Sequence, residues 1–356
     1  MLSKKEFKKN LESWGHCLNK EDFEIILKDI GIYLNEIILS CGYEPLTSKN
    51  FMDIISFISQ AYPHIKISFC TNALLMDSKI RTEIIKNKID SITISMDGVT
   101  RKTYEHIRKG SNYERVISNI LALNELKKQY SLDYPKIIIN YVIMNSNMHE
   151  AQLMVRLGKL IGAKLINFRK IAPFNQEIKN DNELLDDNKA KFNFYREKII
   201  EESERHKIPI HLADKFDMKS EFTPLNNYEL TLNDFSKIMP DKNEKIFLEK
   251  DNFKKKKTNN IKIKSSLIKK YLECIKNIFK IKNSSFYCTK PFNEMFIDLN
   301  YNIKPCECSS IILGNLKEDN LINIIFGEKF NQVRQNIFKN KGDPGCKNCF
   351  YFKRMI

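Results

Sequence analysis

No stretch of this chain approaches the roughly 18–20 uncharged apolar residues that a membrane-spanning helix needs. Its lysine-rich start has no apolar core followed by a small-residue cleavage site. The expectation is a soluble, cytoplasmic protein with no membrane partner. Histidine is also scarce, and its six residues form no ligand-like pair, since His206 and His211 only flank the strand-like Ile208-Pro209-Ile210. Any metal chemistry therefore falls to cysteine. There are nine cysteines, which a reducing compartment keeps from pairing as disulfides. Five of the nine follow position 287, a clustering that points to metal ligation.

With 356 residues and 42% hydrophobic content, the chain can bury one large core and a smaller appended unit. The formal charge is +15, yet residues 241–285 alone hold fourteen Lys against five Asp plus Glu. Charge concentrated in so polar a segment reads as a solvated face or linker and argues against a nucleic-acid site.

From Asn19 to about residue 170 the chain alternates helical and extended patterns, the rhythm of stacked βα units. Asn19 is placed to cap a helix whose first turn carries Glu21 and Asp22, whose apolar stripe is Phe23, Ile26, Leu27 and Ile30, and which Gly31 ends. Apolar runs at 36–40, 65–70, 91–96, 136–144 and 164–168 are too short for helices and rich in β-branched residues, as buried parallel strands are. Amphipathic helices are predicted over 50–60, 78–87, 113–129 and 149–161, with another over 187–207. In a parallel sheet of this kind ligands bind at the carboxyl ends of the strands.

Those ends carry Cys41-Gly42-Tyr43-Glu44-Pro45, Thr71-Asn72-Ala73, Ser95-Met96-Asp97-Gly98 and Asn145-Ser146-Asn147. Gly42 lets backbone approach a ligand, Glu44 and Asp97 accept from an ammonium or ribose hydroxyls, and Asn72 and Ser95 add neutral hydrogen-bonding groups. Taken singly, each segment is also an ordinary turn between strand and helix.

Near the C-terminus, Cys288, Cys306, Cys346 and Cys349 follow the spacing C-x17-C-x39-C-x2-C. A hairpin turning at Asn300 and Asn302 delivers Cys306, and a helix precedes the terminal pair. Four thiolates hold either zinc or a [4Fe–4S] cluster, and spacing alone does not choose. Cys308 reads as a non-ligand beside Cys306, while Cys41, Cys70 and Cys274 read as packing residues.

In this order GYEPL, TNALL, ITISMDG and YEHIRKGSNYERVISNI, followed by CTKPF, DLNYNIKPC and the C-x2-C pair, resemble the radical S-adenosylmethionine enzymes that carry a C-terminal SPASM/twitch auxiliary domain. The resemblance implies an α/β fold, a partial (β/α)6 TIM-like barrel with its first strand missing, plus a small β-hairpin-and-helix cluster domain. Its implied domains are a partial barrel over 1–175, a helical, basic insertion or linker over 176–285 and the cluster domain over 286–356. It also implies S-adenosyl-L-methionine and an auxiliary [4Fe–4S] cluster as cofactors, the latter on Cys288, Cys306, Cys346 and Cys349. Gly42, Tyr43 and Glu44 would bind the cofactor's amino group, Ser95 and Asp97 would flank its ribose and carboxylate, Asn145 its adenosine, and Asn72 would lie on the same rim. Arg108 would pair with the carboxylate, because guanidinium matches carboxylate bidentately. Tyr43 stands where the family has a second glycine. Ala73 replaces the glycine of its TNG, where a left-handed backbone costs a residue with Cβ on the order of 1 kcal/mol.

Such enzymes bind their catalytic cluster through CxxxCxxC, and no such motif occurs in these residues. The chain thus reads as a fragment of a longer enzyme, a decayed gene product or a pseudoenzyme, with an exposed sheet edge, and unable by itself to cleave S-adenosylmethionine. The parent class abstracts hydrogen from an unreactive C–H bond of a sugar, cyclitol or peptide, an oxidoreductase or modifying chemistry using a reductant such as flavodoxin or ferredoxin. The alternative is a non-catalytic iron–sulfur scaffold that binds a partner or nucleic acid through its basic segment.

Overall fold

The computed structural model describes residues 18–39, 44–171, 183–185, 188–216, 288, 290–338 and 346. It divides into two compact units, one of residues Tyr33–Leu248 and one of Met1–Ile32 with Glu249–Ile356. Among the described residues no helix is long and apolar enough to cross a membrane. The first described element, α1 (Lys20–Ile30), begins where the sequence predicts, at Asn19. Asn19 Oδ1 accepts from the Asp22 N–H and Asp22 Oδ2 from the Asn19 N–H, a reciprocal capping box. Its predicted stripe is the side it buries, with Ile26, Leu27 and Ile30 at 6%, 1% and 6% exposure.

The larger unit is a six-stranded sheet in the order β1 (Glu36–Ile38), β2 (Lys66–Thr71), β3 (Ser91–Ser95), β4 (Lys136–Ile143), β5 (Leu165–Lys170) and β6 (Ile210–Leu212), every pair parallel. The crossovers are α2 (Phe51–Ala61), α3 (Ser78–Lys86), α4 (Arg101–Ile107) followed by α5 (Tyr113–Gln129), α6 (Ala151–Leu160) and α7 (Lys189–His206). Strands laid down in chain order without reversal, joined by crossovers of one hand, place every helix on the same face. This is the winding of a barrel wall, as the sequence leads one to expect. A sixth strand, β6, comes from the segment read as the start of an insertion.

The two faces differ in chemistry. Ile67, Phe69, Ile92, Ile94, Ile137, Ile139, Tyr141, Ile166 and Phe168 are at most 2% exposed and form the helix-covered core, each large side chain contributing on the order of 2 kcal/mol by burial. The intervening residues face the other way and are largely polar: Cys70, Thr93, Ser95, Asn140 and Asn167, all half-buried. The strands were read as continuously buried, whereas they alternate, and the open face is hydrophilic.

In the smaller unit, α8 (Lys290–Asn293) precedes a three-stranded antiparallel sheet of β7 (Phe296–Ile297), β8 (Asn302–Lys304) and β9 (Gly314–Asn315), followed by α9 (Leu321–Phe326) and α10 (Glu328–Phe338). The β7–β8 turn is tied by Asp298, whose Oδ1 accepts from the Asn300 and Asn302 N–H groups at 2.9 and 3.0 Å, with Tyr301 in the left-handed region at φ 64°. The predicted hairpin is therefore present. α1 belongs to this unit: it packs against α9, and the Tyr301 hydroxyl donates to Asp22 Oδ1 at 2.8 Å.

Candidate functional site

β3 ends in Ser95, and the turn that follows puts Asp97 at 5% exposure under the carboxyl rim of the sheet. Its Oδ1 accepts the Val142 N–H from β4 at 2.8 Å, and its Oδ2 lies 2.6 Å from Arg108 Nη2. α4 delivers that arginine. Thr100 caps the helix start by accepting from the Thr103 N–H, and the helix closes with the Arg108 N–H on the Tyr104 carbonyl. A Cβ on Gly98 would stand 2.5 Å from the Tyr104 nitrogen and 2.7 Å from its Cα, so only glycine lets α4 pack across the turn. Asp97 and Arg108, both assigned to the cofactor by resemblance, thus pair with each other, and Arg108 Nε is buried with no hydrogen-bond partner among the described residues.

Two side chains beneath this turn were not singled out in the sequence. Asn147, fully buried, donates through Nδ2 to the Asp97 and Val142 carbonyls at 2.9 and 2.8 Å, while its Oδ1 accepts from the Met144 N–H. Glu150, 4% exposed, accepts from the Val99 and Thr100 N–H groups and from the hydroxyls of Thr100 and Thr103. The Asn-Ser-Asn run at a strand end was a signal for the first. Nothing local marks the second, whose partners lie about fifty residues back.

On the β2 side, Glu44 accepts from the Thr71 hydroxyl at 2.6 Å and the Asn72 N–H at 2.6 Å. Asn72 Oδ1 accepts from the Leu74 N–H, so this side chain shapes its own turn. Ala73 has φ 59°, the left-handed conformation inferred from its replacing a glycine, and it is fully buried. Asn119 accepts from Arg81 and donates to the Ala73 carbonyl, a buried strut below the turn. Gly42 and Tyr43 lie outside the described residues. Ser95 Oγ meets Cys70 Sγ at 3.4 Å. Cys70, read from sequence as packing, is half-buried on the polar face, where burial first of all pushes its thiol pKa up. Asn145 lies at the β4 end, its N–H donating to the Glu183 carbonyl at 3.1 Å.

In the smaller unit Cys288 and Cys306 are buried and Cys346 is half-buried, and all three line one small cavity that Cys308 also lines. Pro291, Val333 and Ile337 form apolar walls. Cys349 lies outside the described residues, and among the described residues no three ligand groups converge on a single ion. Three or more thiols around one apolar-walled cavity are a donor set that suits a thiolate-ligated cluster. On the rim of the sheet, two carboxylates and a buried guanidinium nitrogen that no described residue accepts from suit an amino-acid ligand.

Residues 15–157 match the Radical SAM superfamily, and residues 288–350 match an iron–sulfur cluster-binding domain, SPASM. The two domains imply S-adenosylmethionine and iron–sulfur clusters as cofactors. A probable GTP 3′,8-cyclase of Saccharolobus solfataricus is 24% identical over 163 residues, 46% of this chain and 50% of that protein. A similar match, 23% identical, is found in Saccharolobus islandicus, so the chain aligns with about half the length of these curated relatives. Streptococcus suis SuiB shares the fold, with a TM-score of 0.57 at 14% identity, covering 95% of this chain and 66% of SuiB. The anSMEcpe structure with bound AdoMet has a TM-score of 0.54 at 15% identity, covering 96% of this chain and 76% of its own. The chain carries a Radical SAM superfamily domain over residues 15–157 and a SPASM iron–sulfur cluster-binding domain over residues 288–350.

Proposed function

We propose that this chain is the cofactor-binding and auxiliary-cluster part of a radical S-adenosylmethionine oxidoreductase or modifying enzyme that acts on a C–H bond of a sugar, cyclitol or peptide. The observation that carries the reading is Arg108, whose Nη2 is engaged by Asp97 while its buried Nε has no acceptor among the described residues. A ligand carboxylate would satisfy that nitrogen, and an orphaned buried donor otherwise costs about 1–3 kcal/mol. Gly42, Tyr43 and Glu44 would receive the cofactor's ammonium, with Glu44 held in place by Thr71 and Asn72. Ser95 and Asp97 would orient ribose and carboxylate, and Asn145 would lie against the adenosine. When bound and reduced, the cofactor supplies hydrogen-atom abstraction; the chain's own part is to hold and orient it. Cys288, Cys306, Cys346 and Cys349 would ligate an auxiliary [4Fe–4S] cluster that accepts an electron or anchors substrate. SuiB has been solved bound to its precursor peptide SuiA, which supports the peptide arm of the substrate class.

Since CxxxCxxC is absent from these residues, we read the chain as binding S-adenosylmethionine without cleaving it. The same absence favours the second reading, an iron–sulfur scaffold that binds no cofactor on the barrel wall. Titration calorimetry with S-adenosylmethionine separates the two. Binding that weakens at least tenfold in Arg108→Gln, with no 5′-deoxyadenosine released under reducing conditions, is expected, and absence of binding would leave only the scaffold.

A further inference from the structure

The open face of the sheet carries a polar row that begins at the proposed cofactor residue Ser95 and continues past it. Ser95, Asn140 and Asn167 stand in register on β3, β4 and β5, and with strands about 4.8 Å apart the row runs roughly 10 Å away from the Asp97 turn. Asn167 Nδ2 donates to Asn140 Oδ1 at 2.8 Å, but Asn167 Oδ1 is buried with no partner among the described residues. Two residues on, Arg169 emerges on the same face, in register with Val142, whose N–H holds Asp97. Arg169 is exposed, and no carboxylate or hydrogen-bond acceptor engages its guanidinium among the described residues. It stands near enough to Cys70, as Arg108 does, for both cations to act on that thiol.

These features call for a ligand with two properties. A solitary guanidinium beside a wall of amides and hydroxyls presents its planar fork to an oxyanion, and charge-assisted bonds of that kind are roughly twice as strong as neutral ones. A buried amide oxygen without a donor asks for an O–H or N–H. Arg108 is already tied to Asp97, so the two cations serve different groups.

We propose that Arg169 and the Asn140–Asn167 pair form a substrate subsite selecting an anionic group, carboxylate or phosphate, carried next to an O–H or N–H donor. The inference rests on the proposed reading that S-adenosylmethionine occupies the rim between Glu44 and Arg108, and it narrows the substrate class to acidic members.

The test uses the full chain, reconstituted with iron and sulfide and saturated with S-adenosylmethionine. Calorimetry then compares two probe pairs, glucose 6-phosphate with glucose and N-acetylglycine with N-acetylglycinamide. The anionic member of at least one pair is expected to bind about tenfold or more tightly than its neutral partner. The pair that shows the preference tells phosphate from carboxylate. Arg169→Gln should bring the two members within about twofold, Arg169→Lys should restore part of the difference, and Asn167→Ala should weaken both members while keeping the preference. Equal binding of charged and neutral probes, no binding of any probe, or an anion preference that survives Arg169→Gln overturns the subsite. S-adenosylmethionine binding is measured alongside: its loss overturns the cofactor reading, whereas its retention without an anion preference overturns the subsite alone.

Discussion

Arg108 Nη2 stands 2.6 Å from Asp97 Oδ2, and the two side chains are 18% and 7% exposed, so the charges meet largely out of water. The arginine proposed to bind the cofactor's carboxylate is thus pre-set by a carboxylate that is itself fixed through the Val142 N–H. Removing either partner strands the other, and losing one member of a buried pair costs about 3–5 kcal/mol. In urea denaturation, Asp97→Asn and Arg108→Gln should each destabilise by at least about 2 kcal/mol. The double variant should fall short of the sum by about 1–3 kcal/mol. Additive losses would mean that the pair is not coupled.

Gly98→Ala forces a Cβ against the α4 backbone, with no side-chain end to yield. Strain of that kind costs on the order of 2 kcal/mol or more, and it displaces the Asp97 turn. The variant should melt several degrees lower and lose S-adenosylmethionine binding together with stability. Unchanged calorimetric binding would show that the turn tolerates the shift.

Glu202 ties α7 to α6, taking Arg156 Nε at 2.6 Å and Nη2 at 3.0 Å, with Arg205 and His206 close by. Hydrogen bonds from Arg156, and then the positive charges around it, hold its carboxyl below the usual range. A depressed folded-state pKa gives stability that is present above the unfolded value, about 4.3, and lost as pH falls through the folded one. Between about pH 5 and pH 3 the urea midpoint of the wild type should drop more steeply than that of Glu202→Gln. At pH 7 the variant should be less stable by about 1–3 kcal/mol.

Anaerobic reconstitution with iron and sulfide should load about four iron per chain. Cys288→Ser, Cys306→Ser, Cys346→Ser and Cys349→Ser should each lose most of it, while Cys308→Ser should retain it. Iron assay and the visible absorbance of the cluster report the outcome. Eight iron per chain would overturn the reading that only the auxiliary cluster is held by these residues.

What was legible in the sequence follows from the range of each signal. The capping box at Asn19, the helix over Tyr113–Gln129 and the left-handed turn at Ala73 are local, and the sequence places them correctly. The hairpin before Cys306 is local too. Ser91-Ile92-Thr93-Ile94-Ser95 does show the two-residue alternation of a sheet with one polar face, but β-branched density suggested burial on both sides. Glu150 was invisible because its four donors sit on a turn in another βα unit. The Asp97–Arg108 pair was legible only in part: the sequence marks both residues, but the ion pair between them depends on α4 folding back across the turn. β6 is three residues long, and its pairing with β5 is a tertiary fact without a periodic trace.

The bond from Tyr301 to Asp22 closes a loop of 279 residues. A ribosome adding about 5–20 residues per second would finish α1 between roughly 14 and 56 seconds before Tyr301 is made. Through that interval the apolar side of α1, with Ile26, Leu27 and Ile30, has been synthesised while the unit that buries it has not. This early helix is therefore among the last elements to find its place, and the cysteine-bearing unit cannot be completed from its own end of the chain alone.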